Sequence, residues 1–350
     1  PYLECRQTAE GLLNMWHLRE ENTMWKRIHH VAVAILCCLY VANAVAMAEN
    51  GQEPPSSETA DVQVLEPLAA NLDQEAKALE ILRRFDKIQR QLIDWDRELV
   101  DEFLRRGDVQ AAQTKAEDAE RRTRLLAEAY ETFLSKYPNN ARAVNYYGEV
   151  LYDYVGDQVR GVEQWKRAEQ LDPNLSMPAN NLGIHYCHGG EYELGFSYLD
   201  KALRLEPDNP DYHFNVAQIY LINRPQVMAY YKWDEKRLYD EAMRHSRLAT
   251  ELSPTDYSLA EDYAVNYFAS VNLPSVTVNW KDAADAWVRA RNLARHADKV
   301  FFTWLNEARA SIRGKDFKRA ENCLLKALEI KPNNKVCLQL LEQVRENKKQ

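Results

Sequence analysis

The sequence has little glycine or proline, 11 and 13 residues in 350. That is too few for a chain dense in β-turns and excludes an all-β fold. It has no excess of positive charge. Lys and Arg number 45 against 53 Asp and Glu, for a net charge of −8. A nucleic-acid binder needs a basic face, so that class is set aside. Six cysteines in this length are no disulfide framework. Cys5, Cys37 and Cys38 fall before residue 49, which leaves Cys187, Cys323 and Cys337, an odd set that cannot all pair within one chain. There is no glycine-rich phosphate loop, no Gly-x-Ser-x-Gly elbow and no His-Glu-x-x-His helix. The many carboxylates fall on solvated helix faces, and no pair is singled out for catalysis. The chain reads as a non-enzyme with no cofactor.

What is present begins with a basic stretch around Lys26 and Arg27, then an uncharged run from Val31 to Ala48. Ala42-Asn43-Ala44 and Ala46-Met47-Ala48 follow the apolar centre. Basic, apolar, then small-x-small is the order of a secretory signal peptide. Residues 24–48 are predicted to be that signal, cut before Glu49, with export to the periplasm or beyond. The alternative is an uncleaved anchor, because 31–48 is just long enough to span a bilayer. Residues 1–23 form an upstream segment. Residues 49–72 are acidic, rich in Pro and Ser and without periodicity, which predicts a disordered tether.

A helical hairpin is predicted over 73–138. Ile81, Phe85, Ile88, Leu92, Trp95, Leu99 and Phe103 recur at steps of three and four. Gly107 interrupts, and a second stripe runs through Ala112, Ala116 and Ala119 to Tyr130 and Phe133. Bulky Trp95, Leu99 and Phe103 complement the three alanines across an antiparallel turn. A dimerising coiled coil is the other use of such a stripe.

The remainder repeats. Pro173 and Pro207 lie 34 residues apart, and Pro138, Pro254 and Pro332 close similar segments. Five residues before Pro173, Pro207, Pro254 and Pro332 stand Ala168, Ala202, Ala249 and Ala327. Twelve before stand Gly161, Gly195, Ala242 and Ala320, and eight before stand Trp165, Leu199, Ser246 and Leu324. Ala283, Trp287 and Ala290 keep the spacing without a proline. Small residues let helices approach and large ones fill the gap. Ser246 breaks the large position, beside the longest insertion, and reads as a weak point.

This pattern resembles the tetratricopeptide repeat, a helix-turn-helix unit. Leu182, Gly183, Tyr186, Tyr192, Gly195, Leu199, Ala202 and Pro207 carry the likeness best. It covers an array over 139–334, after a degenerate first copy that ends at Pro138, with a capping helix over 335–350. The resemblance implies an all-α, right-handed superhelical array that binds a protein or peptide partner in a concave groove. In the family the fifth, ninth and twelfth positions of a unit contact ligand. Here these would be Asn145, Glu149 and Tyr152; Asn180, Ile184 and Cys187; Phe214, Gln218 and Leu221; and Glu261, Val265 and Phe268. That set lacks the lysines and arginines with which some members clamp a chain-end carboxylate.

Two insertions interrupt the units, at about 224–236 and 271–280. They carry Tyr230, Tyr231, Trp233 and Trp280. An alternative function follows, a small-ligand or glycan-binding module built on these rings. His185, Cys187 and His188 look like half a zinc site. On a helix Cys187 points about 160° away from His185, so they read as ordinary helix-end residues and not as metal ligands.

Overall fold

A computed structural model describes residues 75–348. The signal-like segment and the acidic tether lie outside the described residues. Every described element is helical, and none is long and apolar enough to cross a membrane. The chain divides into two compact units on either side of Pro173 and Asn174.

In the first unit α1 (Glu75–Arg106) and α2 (Val109–Lys136) form the hairpin. Gly107 turns it with a φ of 77°, a left-handed value that glycine adopts without steric penalty. Asp108 then caps α2 by accepting from the Ala111 N–H. The buried line on α1 is Leu82, Phe85, Asp86, Gln89, Arg90, Ile93 and Asp96. The expected stripe through Ile88, Leu92, Trp95, Leu99 and Phe103 is only half-buried. The helix is rolled toward its charged residues because they find partners there. Asp86 takes Arg83, Arg90 and the Tyr130 hydroxyl, while Asp96 takes Lys115 and Arg122. Such pairing offsets the desolvation of buried charge. Next come α3 (Ala141–Glu149) and α4 (Gln158–Leu171). Between them Val150–Val155 widens into a π-turn.

The second unit is a run of helix pairs. The pair α5 (Ser176–His188) and α6 (Tyr192–Leu205) comes first. The next holds α7 (Pro210–Ile222), α8 (Arg224–Tyr231) and α9 (Glu235–Leu252). Then follow α10 (Tyr257–Asn266), a 3₁₀ turn over Tyr267–Asn272, and α11 (Trp280–Leu293). The last pair is α12 (Ala297–Arg313) and α13 (Phe317–Ile330), followed by α14 (Lys335–Asn347). The first insertion is thus α8, between the two main helices of its unit.

The prolines explain the punctuation. Two residues after Pro138, Pro207, Pro254 and Pro332 come Asn140, Asn209, Asp256 and Asn334. Each caps the helix that follows with its side-chain oxygen. Proline ends one unit and Asx starts the next, a cap being worth about 1 kcal/mol. Pro173 is followed by Leu175, which has no side-chain cap.

Ala202 is fully buried against Ala179 and Tyr212. Ala202→Leu is expected to overpack this crossing and lower stability by about 1–3 kcal/mol. Thermal melting checks it, and a variant that melted with the parent would refute the packing register.

Candidate functional site

Of the twelve positions taken from the family pattern, several turn inward. In the first unit Asn145 is fully buried and donates to Glu149, which also meets Arg90 from α1. These two positions face α1. Tyr152 lies in the π-turn, where the wider winding shifts the register. Its ring packs on Trp165, with centroids 4.8 Å apart. In the second unit Cys187 is buried where a Cβ on Gly195 would meet its sulfur at 2.5 Å. Burial pushes its thiol up to about 12. Leu221 joins the core around Val227 and Leu238. Asn145, Cys187 and Leu221 are buried, and Glu149 and Tyr152 are half-buried.

The His185–His188 stretch spreads in the same way. Cys187 turns to Gly195, the His185 ring sits against Tyr186, and His188 is exposed. No group of three or more His, Cys, Asp or Glu side chains comes together to hold a metal among the described residues.

The first insertion folds onto its own unit. Tyr230 and Tyr231 pack on Phe196, and Trp233 stacks on Tyr231 with centroids 4.4 Å apart. The Tyr231 hydroxyl donates to Asp200 at 2.9 Å. These three rings are partly buried and pack against the core of their unit. Trp280 stands elsewhere, beside Phe268.

The remaining positions define what the first helices of the second unit present. Asn215 donates to Asn180 at 3.1 Å, joining α7 to α5. Gln218 donates to Asp262 at 2.7 Å, joining α7 to α10. Ile184, Phe214, Glu261 and Phe268 are half-buried, and Val265 is exposed. At the far end of this face Val265, Phe268, Trp287, Phe302, Ile312 and Leu340 wall a concavity of about 620 Å³. Asn306, Arg309 and Arg313 of α12 complete it. The sequence reading stopped at α10 and missed α12. The apolar Phe302 four residues before Asn306, with Arg309 and Arg313 on the same face, was the signal available.

A second concavity, of about 700 Å³, lies in the first unit over Ala116, Ala119, Thr123 and Ala127. Its rim charges are largely engaged. Arg124 pairs with Glu120, and Arg97 donates to the Tyr154 carbonyl.

Two buried polar groups flank the first helices. His213 Nε2 donates to the Pro207 carbonyl, so its Nδ1 accepts from His245 Nδ1 at 2.7 Å. His245 Nε2 then accepts from Arg244. The chain is consistent only with both rings neutral. Burial, then Arg244 and His213, lower His245 to about 3, and burial lowers His213 as well. Asp262 is the converse. Burial raises it to about 7, against donation from Asn266, Ser246 and Gln218.

A family model described as Tetratricopeptide repeat matches residues 303–334. The chain carries a tetratricopeptide repeat there. It is 26% identical to the photosystem I assembly protein Ycf3 of Rippkaea orientalis, over 31% of this chain and 68% of that one. Among solved structures it is similar to YrrB, described as a TPR protein with an unusual peptide-binding site. There the TM-score is 0.45 at 18% identity, covering 61% of this chain and 97% of YrrB. It is also similar to the C-terminal part of a TPR repeat-containing protein from Cytophaga hutchinsonii. That match has a TM-score of 0.47 at 17% identity, covering 74% of this chain and 99% of the other. Proteins of this family are in general non-catalytic scaffolds that bind other proteins.

Two expectations follow from the buried groups. Ser246 is 2% exposed, donates to Asp262 and accepts from Asn266. The gap at its position is filled by this polar cluster and not by Tyr230, Tyr231 or Trp233. Ser246→Leu is therefore expected to be harmful, by about 2 kcal/mol, because it crowds the site and strips a donor from Asp262. Chemical denaturation measures it, and an unchanged midpoint would refute the cluster's role.

The pH dependence has two opposing signs. The folded chain keeps a proton on Asp262 that the unfolded chain releases between about pH 4 and 7. That contribution grows as pH falls through this window. The histidines act oppositely, since below about pH 6.5 the unfolded chain takes up protons that the folded pair refuses. Asp262→Asn removes only the first contribution. It should raise the melting temperature at pH 8, with an advantage that shrinks by up to about 1.4 kcal/mol per pH unit on acidification toward pH 5. An advantage independent of pH would show that Asp262 is not held protonated.

Proposed function

We propose that this protein is an exported, non-catalytic scaffold that holds a segment of a protein partner along the first helices of residues 174–350. The observation that carries the reading is the concavity between α10, α12 and α14. It is walled by apolar side chains from α10, the 3₁₀ turn, α11, α12 and α14, and bordered by guanidinium groups. Its size suits a few side chains of a bound segment, and Phe302 stands 38% exposed at its wall. The signal-like order of residues 24–48 supports placement in the cell envelope. The glycan-binding alternative is weakened by the packing of Tyr230, Tyr231 and Trp233 into their own unit, which leaves Trp280 as the single insertion ring beside the concavity.

Cross-linking in envelope extracts tests the proposal. The chain should retain a discrete protein partner, and Phe302→Asp should abolish retention while the protein melts as before. Stabilisation by a glycan library, with no partner retained, would instead favour the alternative.

A further inference from the structure

Most cations of the second unit that line helix contacts are neutralised. Arg291 and Arg319 share Glu307, Arg319 also reaches Asp285, and Arg345 and Lys348 share Glu321. Arg309 and Arg313 differ. Arg309 donates to the neutral Asn306 oxygen at 3.0 Å. The Arg313 guanidinium lies 5.2 Å from the Trp280 ring centre and 5.8 Å from that of Phe268. Among the described residues neither makes an ion pair, and no carboxylate lines the concavity. Both side chains are thus oriented by neutral partners while their charge stays uncompensated. In a chain of net charge −8 that is a local exception.

The spacing narrows the ligand. Arg309 and Arg313 are four residues apart on α12, so their stems rise on one face about 6 Å apart. In an extended peptide, side chains two positions apart share a face and sit about 7 Å apart. Two carboxylates in that arrangement would meet one guanidinium each. The apolar wall would take a large side chain from the neighbouring position.

We infer that the concavity between α10, α12 and α14 receives an extended segment of the partner with two acidic side chains two positions apart, next to a large apolar residue. This rests on the scaffold reading above and adds the chemistry of the bound segment. Charge complementarity selects it, since two preoriented forks without acids of their own attract carboxylates strongly. The apolar wall excludes a ligand that is charged throughout.

The test is fluorescence anisotropy on the full chain with a short amidated peptide that carries two aspartates two positions apart, flanked by phenylalanines. Binding is expected, weakening as salt is raised. Arg309→Gln and Arg313→Gln should each weaken it about tenfold, and Arg→Lys at either position should lose less. Melting curves of the variants should match the parent, which separates lost recognition from lost folding. Equal binding of the same peptide with asparagines in place of the aspartates would overturn the inference. So would equally good competition by inorganic phosphate, or tighter binding of a peptide whose single acid is its free C-terminus. Suppose the acidic peptide fails while cross-linking still retains a partner, and retention survives the double substitution to Gln. The inference then falls and the scaffold reading stands. Loss of both would bring down the scaffold reading as well.

Discussion

Each helix pair depends on the close approach of two small residues. A Cβ added to Gly148 would lie 2.7 Å from the Trp165 ring and 2.9 Å from the Gly161 carbonyl. One added to Gly183 would lie 2.8 Å from Leu199, and one added to Gly195 would lie 3.0 Å from the Gly183 carbonyl. The backbones themselves are in contact, so the crossing cannot slide without a clash. In later pairs buried alanines take these places: Ala217 and Ala242, Ala264 and Ala283, Ala308 and Ala320. Beside each crossing a bulky side chain, Trp165, Leu199, Trp287 or Leu324, fills the wedge where the helices diverge. This local rule sets which face of each first helix turns inward. It also sets which face is left to meet a partner.

The rule has one exception, and a polar core grows there. Ser246 stands at the wedge position between α7, α9 and α10, and the space it leaves is taken by Asp262, Asn266 and Gln218. A carboxyl buried in this way is held by three donors, yet desolvation still dominates its titration. The neighbouring His213–His245 pair also has its polarity fixed from one end, by the Pro207 carbonyl. Acid and base therefore sit in neighbouring helix pairs, the histidines on α7 and α9 and the carboxyl on α10, with opposite pH signatures. The unit with the longest insertion also substitutes hydrogen bonds for close packing.

The repeat and its crossings were legible because they are local. Alanine, glycine and proline at fixed spacing report on helix contacts within one unit, and both insertions could be read as departures from that spacing. The tether and the signal-like segment lie outside the described residues. What could not be read depends on partners distant in sequence. The burial of Asp86, Arg90 and Asp96 on α1 requires Tyr130, Arg122 and Glu149. A hydrophobic count therefore chose a face of α1 rolled away from the buried one. Tyr152 falls in a π-turn, a local widening that no composition rule shows. Cys187 and Leu221 sit at positions that face ligand in the general pattern. Here Gly195 draws the second helix over Cys187, and the core that contains α8 closes around Leu221.

The same distinction explains why α12 was overlooked. Its arginines are unremarkable in sequence, four residues apart on a helix rich in charge. Their meaning comes from what surrounds them. Arg291 and Arg319 are spent on Glu307, a carboxylate 3% exposed that pairs with both. Among the described residues Arg309 and Arg313 meet an amide and aromatic rings, which orient a guanidinium without cancelling its charge. Neutral orientation leaves the field of both groups directed into the concavity, where apolar walls screen it less than open water would. A site of this kind is marked by the absence of a counter-charge among its neighbours, and only the folded arrangement says which neighbours those are.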